Sequence, residues 1–179
     1  AANLNSYPRS GTTWNDLSGN GFNFTIDGAG FTYNTGGWFD MANGGITYAD
    51  NITDSTTCTL VFWMRTTDTQ ALFWAKTAAA PYLGAYSAGN KFYNSGFGSP
   101  TLFMNTVSKA NLYDFIRTGE WIMIEFKSVD MSSIDYNNFN QYSNFSFGDG
   151  DISIIKIYDR NLTTEESLQN YNSMKDRFE

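Results

Sequence analysis

Histidine is absent from the 179 residues. That removes the usual serine and cysteine triads, histidine general bases and most zinc sites at once. Cysteine occurs once, at Cys58, so no disulfide can close within the chain. Because Cys58 lies inside an apolar run, a buried structural thiol is expected. Basic residues are few, 11 against 18 acidic, for a net charge of −7 and a pI near 4.4. They are also scattered, so the clustered Lys/Arg that neutralise nucleic-acid phosphates are missing. No apolar run approaches the roughly 20 residues with which a helix crosses a bilayer. The first residue is not methionine and no N-terminal signal is visible, so a piece of a longer or processed polypeptide is expected.

What is present is aromatic and turn-rich. Aromatics make up 17% of the chain and glycine contributes 16 residues, against three prolines. Serine, threonine and asparagine carry most of the polarity, as in many short strands joined by tight turns. Neither an internal repeat nor a composition break appears, and a single domain over residues 1–179 is expected. Four Asn-x-Ser/Thr sequons, at Asn23, Asn51, Asn144 and Asn161, are at the level chance produces in such a composition.

The best strand lies in residues 56–68, "TTCTLVFWMRTTD". Cys58, Leu60, Phe62 and Met64 alternate with Thr59, Val61, Trp63 and Arg65, and successive strand side chains point to opposite faces. Its second face is largely apolar, which predicts a central position. In residues 120–128, Trp121, Met123 and Glu125 alternate with Ile122, Ile124 and Phe126. Residues 151–158 place isoleucine on both faces, so this strand is either buried on both sides or bulged near Ile154–Ile155. Residues 31–41 read as two strands around a Gly36-Gly37 turn, and residues 134–150 as an edge strand plus loop. Thr163 and Glu166 form a capping box. Leu168, Tyr171 and Met174 follow at helical spacing, so a short helix is expected to lie on an edge or end of the strands. The fold class is therefore all-β, two stacked antiparallel sheets with one short C-terminal helix.

Several segments resemble a known family. Ser6 through Asn23, "SYPRSGTTWNDLSGNGFN", is similar to the N-terminal signature of laminin-G-like, concanavalin-A-like jelly-roll domains, closest to those of phage and other viral structural proteins. Arg9 stands where that signature has glycine. "WFDMANGGITYAD", "CTLVFWMRT", "TGEWIMIEF" and "GDISIIKIYDRNLTTEESLQNYN" resemble the later hallmarks in order, with Met41 replacing a glycine. Residues 77–118 carry little of the pattern. The resemblance implies a jelly-roll sandwich on a virion surface or otherwise extracellular. Host-surface glycans, other virion proteins or copies of itself are the implied partners. It also implies that Trp14, Trp63 and Trp121 pack in the core.

Function then divides three ways. Catalysis by paired carboxylates, as in glucanases of this fold class, needs two carboxyls on one face about 5–5.5 Å apart. Glu120 and Glu125 face opposite sides, and Asp149 and Asp151 lead to a serine at 153; no enzyme is expected. Calcium takes six to eight oxygens, which Asp/Asn turns supply. Asp16, Asn20, Asp40, Asp149 and Asp151 are the candidate ligands for a possible structural ion. The alternative is that Asp16 and Asn20 merely close their own turn. Sugar binding needs exposed aromatic faces, for which Trp74, Tyr82, Tyr86 and Tyr93 are the candidates, with core burial as the alternative. The expectation is a non-catalytic surface-displayed module recognising host-cell glycans. Its alternative is a virion decoration or fibre assembly domain without a sugar ligand.

Overall fold

The computed structural model describes residues 3–27, 30–41, 45–48, 51–67, 71–75, 82–86, 91–94, 96–110, 118–132, 137–139, 141–142, 145–146 and 150–178. Strands are numbered along the chain. One seven-stranded sheet runs β1 (Thr13–Trp14), β2 (Phe24–Asp27), β5 (Gly45–Tyr48), β13 (Asn137–Phe139), β7 (Ala71–Ala75), β8 (Tyr82–Tyr86) and β9 (Lys91–Asn94). The other runs β11 (Val107–Lys109), β10 (Gly98–Met104), β12 (Ile122–Val129), β6 (Cys58–Thr66), β16 (Gly150–Tyr158), β4 (Trp38–Asp40) and β3 (Thr32–Asn34). β14 (Gln141–Tyr142) and β15 (Phe145–Ser146) pair as a separate two-stranded ribbon. Every pairing is antiparallel. The expected all-β sandwich is therefore the observed fold.

The alternation along β6 builds the core. Leu60, Phe62 and Met64 point into the sandwich with Ile122, Ile124 and Phe126 of β12 beside them. From the opposite sheet come Ile46, Trp74, Leu83 and Phe139, and Phe62 stacks on Phe139 at 5.5 Å. Cys58 is fully buried there, and burial pushes its thiol pKa up. The segment read as an edge strand is partly central: β13 lies between β5 and β7. Its neighbours in the sheet are distant in sequence, which local pattern does not reveal.

The bulge reading of the isoleucine-rich strand is the one observed, just before Ile154–Ile155, and Ile154, Ile155 and Ile157 are half-buried. A register shift lies between Ile152 and Ile154, at Ser153, a bulge that turns Ile155 and Ile157 toward the sandwich core while Ile154 and Tyr158 join a second cluster. That second cluster is outside the sandwich. Val61, Trp63 and Met123 on the outer face of β6 and β12 are covered by Tyr171, Met174 and Phe178. Trp63 stacks on Tyr171 at 5.8 Å and on Phe178 at 4.7 Å. The helix α1 (Thr164–Asn172) thus lies across a sheet face, not on an edge or end of the sandwich.

The capping box of α1 forms as the residues dictate. Glu166 N donates to Thr163 Oγ1 at 3.2 Å, and Thr163 N donates to Glu166 Oε2 at 2.9 Å. The expected Leu168–Tyr171–Met174 stripe does not, because Leu168 is 46% exposed. In its place Ser167 is buried, and its hydroxyl donates to the fully buried Glu125 at 2.8 Å. The polar residue sits inward because a carboxylate waits beneath it.

Candidate functional site

The second sheet is incomplete along one side. β4 pairs with β16 only at Asp151↔Asp40 and Ile152↔Phe39, so from Ser153 onward that side of β16 has no strand beside it among the described residues. The bulge occupies the point where pairing stops. Ser153 Oγ donates to Gly37 O at 2.8 Å, closing the end of the ladder.

Along the unpaired side runs a cavity of about 930 Å³, the size of a small-molecule site. Its inner wall is apolar: Trp14, Phe22, Phe24, Ile52, Ile155 and Ile157. Around the outer wall Ile154, Lys156, Met174 and Arg177 carry it toward the C-terminal segment. Asn3, Asn15, Asp16, Ser18, Asn20 and Thr53 form a polar rim. The N-terminal signature shapes this rim. Trp14 Nε1 donates to Ser6 Oγ at 2.8 Å, and Asn15 N donates to Ser6 O at 2.7 Å, tying residues 3–7 against the start of the turn.

Asp16 organises that turn. Its carboxylate accepts from Ser18 N at 2.7 Å, Ser18 Oγ at 2.6 Å and Phe22 N at 3.2 Å. Burial alone would raise its pKa, but the hydrogen bonds from Ser18, Phe22 and Gly21 together outweigh it and hold the carboxyl below its ordinary value. This is the Asx-turn alternative to calcium ligation. Asn20, four residues on, is exposed at the rim, and its side-chain amide has no partner among the described residues.

The other calcium candidates lie elsewhere. Asp151 is paired with Arg65, whose Nε lies 2.6 Å from its carboxylate. The guanidinium sits 5.3 Å from the Trp38 ring centre and 5.2 Å from that of Trp121. A cation already neutralises this carboxylate, which disfavours a second. Asp40 is its cross-strand neighbour, and Asp149 lies outside the described residues. No group of three acidic, histidine or cysteine side chains converges among the described residues.

Of the sugar-stacking candidates, Trp74 departs from expectation. It is fully buried, edge-on to Phe24 at 5.8 Å and 6.2 Å from Phe62; a ring inside the sandwich offers no face to a ligand. Tyr82 and Tyr86 fall on β8 and Tyr93 on β9, with side chains outside the described residues. Trp14 packs in the sandwich core, as the resemblance implies. Trp63 and Trp121 instead pack on the outer face, Trp121 against Phe178 at 4.6 Å and only half-buried.

Sequence reasoning passed over Lys156 and Arg177. Lys156 interrupts the run "SIIKIY", and a charge in a strand apolar on both faces is itself a signal, since burial without a partner is costly. Its Nζ donates to Asn170 Oδ1 at 2.8 Å, an acceptor it shares with the Tyr158 hydroxyl at 3.2 Å. Arg177 reaches back from the C-terminal segment. Its Nη2 donates to Gly37 O at 2.8 Å and to Ser153 Oγ at 2.9 Å. Burial lowers the pKa of both groups.

Of the catalytic carboxylates considered from sequence, Glu120, Glu125 and Asp151 do not line the cavity, and Asp149 lies outside the described residues. Glu125 is sealed under α1, and Asp151 is held by Arg65. Of the acidic residues lining the cavity, Asp16 has a lowered pKa, the wrong direction for a general acid near neutrality.

No protein-family model matches the chain, and no curated protein matches its sequence. Similar solved structures exist. The botulinum neurotoxin type G receptor-binding domain superimposes with a TM-score of 0.56 at 16% identity, covering 93% of this chain and 50% of that one. A Trypanosoma rangeli sialidase in complex with the inhibitor DANA gives 0.56 at 12% identity, covering 95% and 32%. A structure of botulinum neurotoxin type C, a toxin whose uptake depends on two ganglioside molecules, gives 0.51 at 14%, covering 93% and 50%. At these identities the likeness is one of fold. The chain spans half or less of each of these structures. Among the described residues, no helix is long and apolar enough to cross a membrane.

Proposed function

We propose that this chain is a non-catalytic glycan-binding module and that the cavity along β16 is its binding site. One observation carries the reading: a groove of about 930 Å³ with aromatic and aliphatic side chains on its inner wall and an asparagine- and serine-rich rim. Pyranose rings present apolar C–H faces and polar edges, and such a groove complements both. The fold shared with a ganglioside-dependent toxin and a sialidase supports the reading. Ganglioside dependence and sialidase activity belong to those whole proteins, of which half or less is matched.

The sequence resemblance supports a finer assignment. The module is a laminin-G-like domain spanning 1–179 of a longer phage or viral structural polypeptide, displayed on the virion surface and recognising host-cell glycans. It has no catalytic residues. The second reading, an assembly domain, is favoured by one feature: the unpaired side of β16 is a template that a strand of a neighbouring copy or virion protein could extend.

A glycan array with Asn20→Ala and Phe22→Ala as groove variants tests the proposal, with Tyr86→Ala on β8 as the comparison variant. Binding lost in the first two and kept in the third supports the groove. Binding lost only in Tyr86→Ala moves the site to the β8 surface. No glycan bound, together with a self-associated state in sedimentation, favours assembly. Release of free sugar from any bound glycan would refute the non-catalytic assignment.

A further inference from the structure

Two cations at the groove have no acidic partner among the described residues. Three ion pairs occur among the described residues: Arg65 with Asp151, Lys127 with Glu125 and Arg160 with Glu166. Lys156 and Arg177 have no carboxylate within ion-pairing distance among those residues. Their hydrogen bonds end on neutral acceptors, Asn170 Oδ1 for the first, Gly37 O and Ser153 Oγ for the second. In a chain of net charge −7, carboxylates outnumber bases, and leaving two cations without one is not for want of supply. Both line the same cavity.

Placement makes them a pair. Arg177 is anchored beside Ser153, and Lys156 follows three residues along the same strand, a backbone separation of about 10 Å at ~3.3 Å per residue that the length of the lysine side chain can narrow. Arg177 Nη2 is fixed by its two acceptors, while Nη1 and Nε donate to nothing among the described residues. A guanidinium held in that way presents its remaining donors already oriented. The acidic groups facing the cavity are Asp16 and Asp159. Asp16 is occupied by its own turn, and Asp159 is exposed at the far end of the strand.

We infer that the groove selects acidic sugars: a carboxylate-bearing glycan, sialylated or uronate-containing, whose anion is held by Lys156 and Arg177 while its ring lies over the apolar wall. This rests on the glycan-binding reading and names the ligand class of the same site. Burial depresses the pKa of the half-buried Lys156 in the free protein, and an incoming carboxylate supplies the missing counter-charge. The wider field points to a single anion and not a polyanion. A molecule of pI near 4.4 repels nucleic acid or polysulfate along its length, but two local donors still bind one carboxylate.

The unaltered protein supplies the first test. Its affinity is measured for a carboxylated oligosaccharide, for the same oligosaccharide with the carboxyl reduced to an alcohol, for a sulfated one and for a neutral one. Lys156→Gln and Arg177→Gln are then measured on the first two. Carboxyl reduction should weaken binding by about tenfold or more, the scale of one charge-assisted hydrogen bond. Each variant should lose a similar factor on the acidic ligand and little on the reduced one, and Lys156→Arg should recover most of the loss. Sialylated and uronate arms separate the two sources of the carboxylate.

Neutral glycans bound as well as acidic ones, with both variants at unaltered affinity, overturn this inference and leave the glycan reading standing. Preference for the sulfated ligand overturns the carboxylate assignment. No glycan bound in any arm overturns both.

Discussion

Replacing Ser167 with alanine removes one hydroxyl from beneath α1, and its cost follows from Glu125. That carboxylate is fully buried on the outer face of β12. Its Oε1 accepts from Ser167 Oγ at 2.8 Å and lies 3.3 Å from Lys127 Nζ, while Oε2 has no partner. Losing the hydroxyl leaves a buried charge on Lys127 alone. A hydrogen bond to an ionised group contributes about 2 kcal/mol, and leaving its acceptor buried and unpaired forfeits all of it. At roughly 2–4 °C per kcal/mol for a domain of this size, Tm should fall by about 4–8 °C. Glu125→Met removes the charge itself. Lys127 keeps Leu162 O at 2.9 Å and Thr163 O at 3.4 Å but loses its counter-charge while 13% exposed, so this variant should itself cost about 3–5 kcal/mol. In that background Ser167→Ala should cost little, because the hydroxyl then has only Thr163 O at 3.0 Å. Urea denaturation of the four proteins, followed by tryptophan fluorescence, gives the coupling energy. A Ser167→Ala cost below about 0.5 kcal/mol, or an equal cost in both backgrounds, refutes the account of why α1 buries a serine.

Arg9 occupies the left-handed region at φ +69°, where the resembled signature carries glycine. Arg9→Gly should raise stability by roughly 0.5–1 kcal/mol, the left-handed penalty less glycine's extra chain entropy, and a lower Tm would count against it. Glu166 is held at a pKa of about 2 by the Arg160 side chain and the Thr163 amide. A folded pKa below the unfolded one gives stability that is present above about pH 4.5 and lost as pH falls toward 2. Acid unfolding curves of Glu166→Gln should therefore lack that part of the decline, and an unchanged acid limb would refute it. A Cβ at Gly150 would meet Arg65 O at 2.6 Å and Thr66 Cβ at 2.8 Å. Gly150→Ala should push β16 from β6 and cost about 2 kcal/mol by denaturant titration; a neutral result would mean the pair yields more easily than a packed sheet should.

Much of the architecture was legible because its causes are local. Alternation in Cys58–Thr66 and residues 120–128 sorted the two faces of β6 and β12 correctly, since a strand's period admits only two directions. The capping box located the start of α1 because its two bonds lie within three residues. The Asp16 turn was legible for the same reason, and its Asx-turn alternative is the arrangement observed. Local pattern failed where the partner is remote. Leu168 matched the helical stripe, yet Ser167 is buried because Glu125, 42 positions earlier, lies beneath it. Trp74 looked available to a sugar, but Phe24 and Phe62 enclose it.

By itself, then, the order of residues determined the strands, their alternating faces, the capped helix and the exclusion of histidine chemistry. These depend on neighbours a few positions apart. Only the tertiary structure decided that the pairing of β4 with β16 ends at Ile152, that the side of β16 beyond it is left open, and that Lys156 and Arg177 line that groove without a carboxylate partner among the described residues. Ser153 and Arg177 are 24 positions apart, and Gly37 is more than a hundred from either. Proximity of that kind is created by folding, because it depends on which strands pair and where pairing ends.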